Sequence, residues 1–222
     1  MASLFQSIFI TVIYSYKMKQ NVGIVNYNTG NIFKLENTLK KIGLKVKIIS
    51  NSRDLNLCDK IILPGVGTYN IASKFLKKKK LNIAIKNFIK QKKPLLAICL
   101  GFQLLFSKSQ EADNFYGINL FSGNVKNLNN ILKNTKIPNI GWHKVYFSKN
   151  SSKNLKKLSG EKFYFAHSYY CDFKTKLPAS YIKIENKKIL TSLNTNNIYA
   201  YQFHPEMSGD SGIEILKYFG EL

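Results

Sequence analysis

The chain has 222 residues, of which 45% are hydrophobic and 21% are charged, a composition typical of a globular domain with a sizeable core. Its formal charge is +22, yet Arg53 is the one arginine among 34 basic residues, and the lysines are spread along the chain. Because proteins that read bases rely on the bidentate arginine fork, we expect no nucleic-acid binding. Three scattered cysteines without zinc or disulfide spacing indicate a cytoplasmic protein, and we expect neither a metal nor another cofactor.

The first twenty residues differ from the rest of the chain. Leu4 to Tyr16 is largely apolar, but a membrane span needs about 20 such residues. Lysines follow this run, whereas the basic residues of a signal peptide precede it. We therefore expect no membrane segment, an N-terminal extension over residues 1–20 and one domain over residues 21–222. Translation is predicted to begin at Met18, and a genuine extension that anchors or packs is the alternative.

Apolar runs alternate with helical periodicity through the first half of the chain. Strands are predicted over residues 22–26, 46–49, 60–63 and 95–98. Helices are predicted over residues 32–42, before Gly43, around Ile71 and Phe75, over 83–89 and over 102–106. Continuous apolar strands that alternate with helices indicate a parallel sheet covered on both faces.

The second half has shorter connections between its apolar runs. Strands are predicted at Val125 and over residues 140–147, 162–166, 181–184, 189–193 and 199–203, with a final helix over 209–219. The sequence therefore predicts an α/β fold with a mostly parallel central sheet, flanking helices and added antiparallel strands. We expect one extended mixed sheet.

The strongest local signal is Leu-Leu-Ala-Ile-Cys-Leu-Gly-Phe-Gln over residues 95–103. A buried strand runs into Cys99 and Gly101 follows, which is the pattern of a strand-to-helix elbow that exposes a nucleophile. The backbone N–H of Leu100 would then face a developing oxyanion. A buried, inert cysteine is the alternative.

Two further motifs with functional potential follow apolar runs. In Tyr-Gln-Phe-His-Pro-Glu, Glu206 follows His204 by two positions, so an extended segment would point both side chains to the same side. Such a pair fits a base that a carboxylate orients, although a surface turn is also possible. Pro-Gly-Val-Gly over residues 64–67 follows a strand and would turn backbone N–H groups towards an anion.

Together these motifs resemble those of the class I, or triad, glutamine amidotransferases, and most closely the glutaminase subunits of imidazole glycerol phosphate synthases. The resemblance covers about residues 22–219. It rests on Asn-Tyr-Asn-Thr-Gly-Asn at 26–31, Pro-Gly-Val-Gly at 64–67, Ala-Ile-Cys-Leu-Gly-Phe-Gln at 97–103, Ile-Pro-Asn-Ile-Gly-Trp at 137–142, Tyr-Phe-Ala-His-Ser-Tyr at 164–169 and Phe-His-Pro-Glu at 203–206. It implies the class I glutamine amidotransferase (flavodoxin-like) fold.

The resemblance also implies roles for individual residues. Cys99 would form a glutamyl thioester, His204 would transfer protons and Glu206 would orient His204. The residues that match positions around bound L-glutamine and its oxyanion are Gly65, Val66, Gly67, Leu100, Gln103, Glu111, His167, Ser168 and Tyr169.

The resemblance further implies a heterodimer with a cyclase-like (β/α)8-barrel synthase subunit. That partner would use the ammonia to make imidazole glycerol phosphate and aminoimidazole carboxamide ribonucleotide in histidine biosynthesis. The residues that match partner-facing positions are Asn31, Trp142, His143, Tyr164 and Met207. His143 replaces the family's asparagine and Met207 replaces its lysine, so the identity of the partner stays open. The alternative is a paralogue that supplies ammonia to a sugar-amidating synthase in surface polysaccharide biosynthesis.

Overall fold

A computed structural model describes residues 20–28, 30 and 32–222. The extension predicted over residues 1–20 lies outside these residues except for Gln20, and so does the predicted interface residue Asn31. None of the helices in the described part of the chain combines the length and the apolar character that a membrane crossing requires.

Strands alternate with helices through the first half, as the apolar pattern predicts. The described strands are β1 (Asn21–Val25), β2 (Lys45–Ile49), β3 (Lys60–Leu63), β4 (Leu95–Ile98), β5 (Phe106–Ser109), β6 (Ala112–Tyr116), β7 (Phe121–Asn127), β8 (Asn139–Lys144), β9 (Tyr146–Phe147), β10 (Lys162–His167), β11 (Tyr169–Asp172), β12 (Ala179–Ile184), β13 (Lys187–Asn194) and β14 (Ile198–Tyr201). The described helices are α1 (Phe33–Lys41), α2 (Ser52–Asn56), α3 (Tyr69–Lys78), α4 (Leu81–Lys90), α5 (Leu100–Gln103), α6 (Lys153–Lys157) and α7 (Gly209–Gly220).

The central sheet has the strand order β2-β1-β3-β4-β14-β13-β12-β9. The five strands from β2 to β14 pair in parallel, and β13, β12 and β9 continue the sheet in antiparallel pairs. This arrangement confirms the predicted α/β fold with a mostly parallel sheet and added antiparallel strands.

Side chains of the central strands alternate between two hydrophobic cores, one on each face of the sheet. On β4, Leu95 and Ala97 pack with residues of α3 and α4, whereas Leu96 and Ile98 pack with residues of α1 and α7. Since all four side chains are fully buried, the continuous apolar run is explained by helices on both faces. The carboxyl end of β4 lies between the parallel strands β3 and β14.

The sequence predicted a single extended sheet, and this prediction is wrong for the second half of the chain. β8 and β10 form a separate antiparallel pair, and β11, β7, β5 and β6 form a third sheet. The helix predicted over residues 102–106 ends at Gln103, and Phe106 begins β5. It ends there because the carbonyl oxygens of Leu104 and Leu105 accept hydrogen bonds from the amides of Ile118 and Leu120 instead of continuing a helical ladder.

Candidate active site

Cys99 lies on a sharp turn between β4 and α5, in the middle of the central sheet. Its φ of 45° is in the left-handed region, and its N–H donates a 2.7 Å hydrogen bond to the carbonyl oxygen of Tyr201 on the neighbouring strand. A Cβ atom at Gly101 would collide with the carbonyl oxygen of Leu63, so glycine is required where the chain turns against β3. A strained nucleophile followed by an obligatory glycine is the elbow geometry that the motif predicts.

His204 and Glu206 lie in hydrogen-bond contact beyond the end of β14. The ring Nδ1 of His204 is 2.8 Å from Oε1 of Glu206. The prediction that this segment is extended is wrong. Pro205–Met207 forms a 3-10 turn, which brings the carboxylate of Glu206 back to the ring of His204. The second carboxylate oxygen, Oε2, is buried and has no hydrogen-bond partner within the part of the chain that the structure describes.

The side chain of Cys99 is hydrogen-bonded to the ring of His204. Burial lowers the pKa of His204, but the attraction of the Cys99 thiolate, their hydrogen bond and Glu206 outweigh it and raise that pKa to about 11. Because Nδ1 is held by Glu206, Nε2 is the ring nitrogen left to face the sulfur. Cys99, His204 and Glu206 are thus brought together with the connectivity of a triad.

A pocket of about 200 Å³ opens beside Cys99. Its wall is formed by Gly65, Gly67, Cys99, Leu100, Gln103, Glu111, Pro138, Ala166, His167, Ser168 and Tyr169. All the predicted substrate-binding residues except Val66 belong to this wall, and Val66 lines a second pocket on the other side of Gly65. A side chain at Gly65 would lie 2.8 Å from the His204 ring and 2.9 Å from Cβ of Cys99, so glycine leaves the approach to the sulfur open.

Glu111 provides an acidic group in this pocket. One carboxylate oxygen accepts a 3.2 Å hydrogen bond from the backbone N–H of Tyr69, the first residue of α3. Burial raises the pKa of the Glu111 carboxyl above its ordinary value, and that hydrogen bond opposes the shift. A half-buried carboxylate in a small polar pocket is suited to a substrate ammonium group.

The sequence did not predict Gln202, which lies at the catalytic sulfur. Its side chain is fully buried, and its Nε2 donates a 3.4 Å hydrogen bond to Sγ of Cys99. Its Oε1 accepts from Nε2 of Gln103 at 3.2 Å. A polar residue between the apolar Tyr201 and Phe203 was the available signal, because a glutamine buried in a strand run must have hydrogen-bond partners.

The second pocket, of about 210 Å³, lies behind the triad. It is lined by Ile32, Lys34, Leu35, Pro64, Gly65, Val66, Tyr164, Ala166, His204, Glu206 and Met207. Gly65 and Ala166 line both pockets and therefore separate them. Trp142, which is 51% exposed, contacts the ring of Tyr164 edge-on at 5.9 Å between centroids.

His143 occupies the opposite side of β8 from the exposed Trp142. Its Nε2 is 2.8 Å from Oδ1 of Asn139, and its ring lies edge-on to Phe165. The interface role predicted for Trp142, His143, Tyr164 and Met207 stays a prediction. No group of three or more His, Cys, Asp or Glu side chains among residues 20–28, 30 and 32–222 is arranged to hold a metal ion.

The parallel sheet, the cysteine elbow and the adjacent histidine–carboxylate pair are the features expected of a triad-type amidotransferase. Residues 24–220 match the family model described as Glutamine amidotransferase class-I, and the chain belongs to that family. The resemblance inferred from the motifs is therefore confirmed at the level of the family.

Relatives within the family carry a more specific name. The imidazole glycerol phosphate synthase subunit HisH of Caldanaerobacter subterraneus subsp. tengcongensis is 38% identical over 203 residues, which cover 90% of this chain and 98% of the relative. The subunit of the same name from Cyanidium caldarium is 38% identical over 213 residues, with 90% and 98% covered. These relatives confirm the resemblance to imidazole glycerol phosphate synthase glutaminase subunits.

Solved structures support the fold. A crystal structure described as glutamine amidotransferase has a TM-score of 0.69 at 13% identity, covering 89% of this chain and 96% of that one. PurLQS from Thermotoga maritima has a TM-score of 0.68 at 16% identity, with 90% and 97% covered.

Proposed function

We propose that this chain hydrolyses L-glutamine to glutamate and ammonia, and that a synthase partner uses the ammonia in histidine biosynthesis. The observation that carries the proposal is the Cys99–His204–Glu206 arrangement beside a pocket of about 200 Å³. The names of the relatives support the histidine pathway and do not favour the alternative of a sugar-amidating synthase.

In the first half of the proposed reaction, the Cys99 thiolate attacks the side-chain carbonyl carbon of glutamine. The carbonyl π electrons move onto oxygen, which the N–H of Leu100 and the glycine turn at residues 65–67 would stabilise as an oxyanion. As the oxyanion collapses, the C–N bond breaks and His204 gives its Nε2 proton to the departing nitrogen. Ammonia and a glutamyl thioester result.

In the second half, His204 is neutral and takes a proton from water. The resulting hydroxide attacks the thioester carbonyl, the C–S bond breaks, and glutamate leaves while Cys99 returns to the thiolate. The contact between Nδ1 of His204 and Oε1 of Glu206 supports a single ring orientation through both halves.

The chemistry of the pocket supports glutamine as the substrate. Glu111 would accept the α-ammonium group in a charge-assisted hydrogen bond. Gln103 uses both N–H groups of its amide for Tyr169 and Gln202, so its Oε1 remains as an acceptor for a substrate donor. Both residues are held in place before substrate binds.

The second pocket supports transfer of ammonia to a partner. It contacts the triad at His204 and Glu206 and reaches the surface next to Met207 and Tyr164. Ammonia released near Gly65 would cross to this pocket on the side away from the glutamine pocket. We propose that a cyclase-like barrel subunit covers this face in a heterodimer. The three free cysteines are consistent with a cytoplasmic location.

The test is glutamate and ammonia release from glutamine by the purified chain, with and without the barrel subunit from the same genome. We expect Cys99→Ala to abolish both products while the protein stays folded. A diazo-ketone analogue of glutamine should alkylate Cys99, which lines the glutamine pocket, and leave Cys58 and Cys171 unlabelled, as mapped by mass spectrometry.

A matched Cys58→Ala variant controls for loss of a buried thiol and should retain the activity. Glutamate production by Cys99→Ala, or a label on another cysteine, would contradict the proposed mechanism.

A further inference from the structure

A continuous series of hydrogen bonds connects His143 on β8 with the catalytic sulfur. Its members are His143, Asn139, His167, the carbonyl group of Tyr169, Gln103, Gln202 and Cys99. We call this series the polar chain. Asn139, His167, Gln103 and Gln202 are buried, so each must satisfy its polar atoms inside the protein.

The first half of the polar chain has one consistent direction of donation. Nε2 of His143 lies 2.8 Å from Oδ1 of Asn139, an atom that can only accept, so His143 donates. The other end of the same amide, Nδ2, can only donate, and it lies 3.0 Å from Nε2 of His167. Nε2 of His167 is therefore an acceptor, and its proton resides on Nδ1.

That proton has an acceptor in the backbone. Nδ1 of His167 is 2.7 Å from the carbonyl oxygen of Tyr169. Burial lowers the pKa of His167 to about 4, in agreement with a neutral ring that carries one proton. The Tyr169 carbonyl oxygen can only accept, so it requires the Nδ1–H tautomer of His167. His143, by orienting the Asn139 amide, supplies the matching donor at Nε2 and stabilises the same tautomer.

The second half of the polar chain depends on the same carbonyl group. Gln103 donates one N–H to the Tyr169 oxygen and the other to Oε1 of Gln202, each at 3.2 Å. The amide nitrogen of Gln202 in turn donates a hydrogen bond to Sγ of Cys99. A change in the Tyr169 carbonyl would therefore reach both the wall of the glutamine pocket and the donor at the nucleophile.

We propose that His143 is a positioning residue for glutamine hydrolysis. Through Asn139 it stabilises His167 as the Nδ1–H tautomer that the Tyr169 carbonyl oxygen also requires, and it thereby holds Gln103 and Gln202 in the orientation that presents an N–H to Cys99. The inference rests on the proposed function for its kinetic consequence. The protonation of His167 is measurable without turnover.

The sharpest test is the pair His143→Gln and His143→Glu. The terminal nitrogen of a glutamine side chain lies the same number of bonds from the backbone as Nε2 of histidine. The introduced amide can therefore donate to Asn139, whereas a carboxylate of the same size can only accept. We expect the glutamate variant to turn the Asn139 amide, which would place Oδ1 against His167 and require a proton on its Nε2.

The readout is the ring 15N NMR spectrum of the isolated chain. The chain has three histidines, so substitution of each assigns the spectrum. Wild type and His143→Gln should show His167 protonated on Nδ1, and His143→Glu should show a proton on Nε2. A merely structural role for His143 would change stability without moving this proton.

The kinetic readout is the rate at which the diazo-ketone analogue alkylates Cys99. We expect a loss of about tenfold in His143→Glu, the effect of about one misdirected hydrogen bond, and most of the rate to be kept in His143→Gln. Lys144→Glu, at the adjacent exposed position, adds negative charge without touching the polar chain and controls for electrostatics.

Two outcomes would overturn the inference: an unchanged His167 tautomer in His143→Glu, or equal alkylation rates in the glutamine and glutamate variants. Absence of glutamine hydrolysis by the wild type would instead count against the proposed function, since the tautomer is observed in either case.

Discussion

At the scale of single residues, the environment of Cys99 is made by groups from distant parts of the chain. His204 supplies a positive charge, and Gln202 supplies an amide donor at 3.4 Å. The motifs predicted the cysteine, the histidine and the carboxylate because each has a distinctive chemistry at a strand end. Gln202 was not predicted, since only the folded structure shows which neighbour its buried amide contacts.

The pKa of His204 tests whether Cys99 and His204 form a thiolate–imidazolium pair. The Cys99 thiolate is the largest influence that raises this pKa, so we expect Cys99→Ala to lower it from about 11. In the wild type the ring should remain an imidazolium as pH rises through neutrality and lose its proton only near pH 11. In the variant it should lose that proton at a lower pH, as measured by NMR titration of the ring.

Cys58→Ala is the control for this titration, because the Cys58 thiol is not among the groups that shift His204. An identical His204 titration in the wild type and Cys99→Ala would contradict a thiolate–imidazolium pair.

At the scale of elements, the first four strands were predictable and the smaller sheets were not. β1, β3 and β4 are apolar runs buried on both faces, a pattern that few other structures produce. β5 and β6 are short and mix polar with apolar residues, and β5 pairs with both β6 and β7, so no clear alternation in the sequence indicates these strands. The 3-10 turn at residues 205–207 is likewise too short to show periodicity.

The elbow between β4 and α5 depends on Gly101. We expect Gly101→Ala to lower the free energy of unfolding by about 3 kcal/mol or more, because its Cβ would meet the backbone of a central strand that cannot move aside. It should also abolish alkylation of Cys99, since relief of the clash would turn the nucleophile away. Chemical denaturation and mass mapping measure the two effects.

Gly160→Ala is a suitable comparison. No atom of the described residues lies within 4 Å of a Cβ at this position, but its φ is +93°, so only backbone strain of about 1–2 kcal/mol should result. This variant should keep the reactivity of Cys99. Equal destabilisation by the two substitutions would show that the contact with Leu63 does not set the geometry of the elbow.

At the scale of the whole molecule, the triad lies between two pockets whose walls share Gly65 and Ala166. One pocket carries the polar groups suited to glutamine. The other is lined mainly by apolar side chains and opens beside Tyr164, whose ring contacts the exposed Trp142. The sequence predicted this division only through the family resemblance, because the two sets of residues are interleaved along the chain.

This division predicts that ammonia reaches the partner without entering bulk water. We expect the isolated chain to hydrolyse glutamine slowly and the proposed barrel partner from the same genome to accelerate it, as expected when two sites favour one active conformation. With 15N-amide glutamine and excess unlabelled ammonium, the product of the complex should carry the label, as measured by mass spectrometry. Unlabelled product would show that the ammonia escapes to solvent.

The exposed Trp142 tests which surface the partner covers. A large aromatic side chain at the centre of an interface commonly contributes about 2 kcal/mol or more to binding, so Trp142→Ala should weaken the complex by at least about thirtyfold. Alkylation of Cys99 in the isolated chain should change little, because Trp142 does not line the glutamine pocket. Ile83→Ala removes a comparably exposed apolar side chain from α4, which contributes to neither pocket, and should bind normally. If calorimetry gave the same dissociation constant for Trp142→Ala and wild type, the partner would have to dock elsewhere, and the second pocket would no longer lead to it.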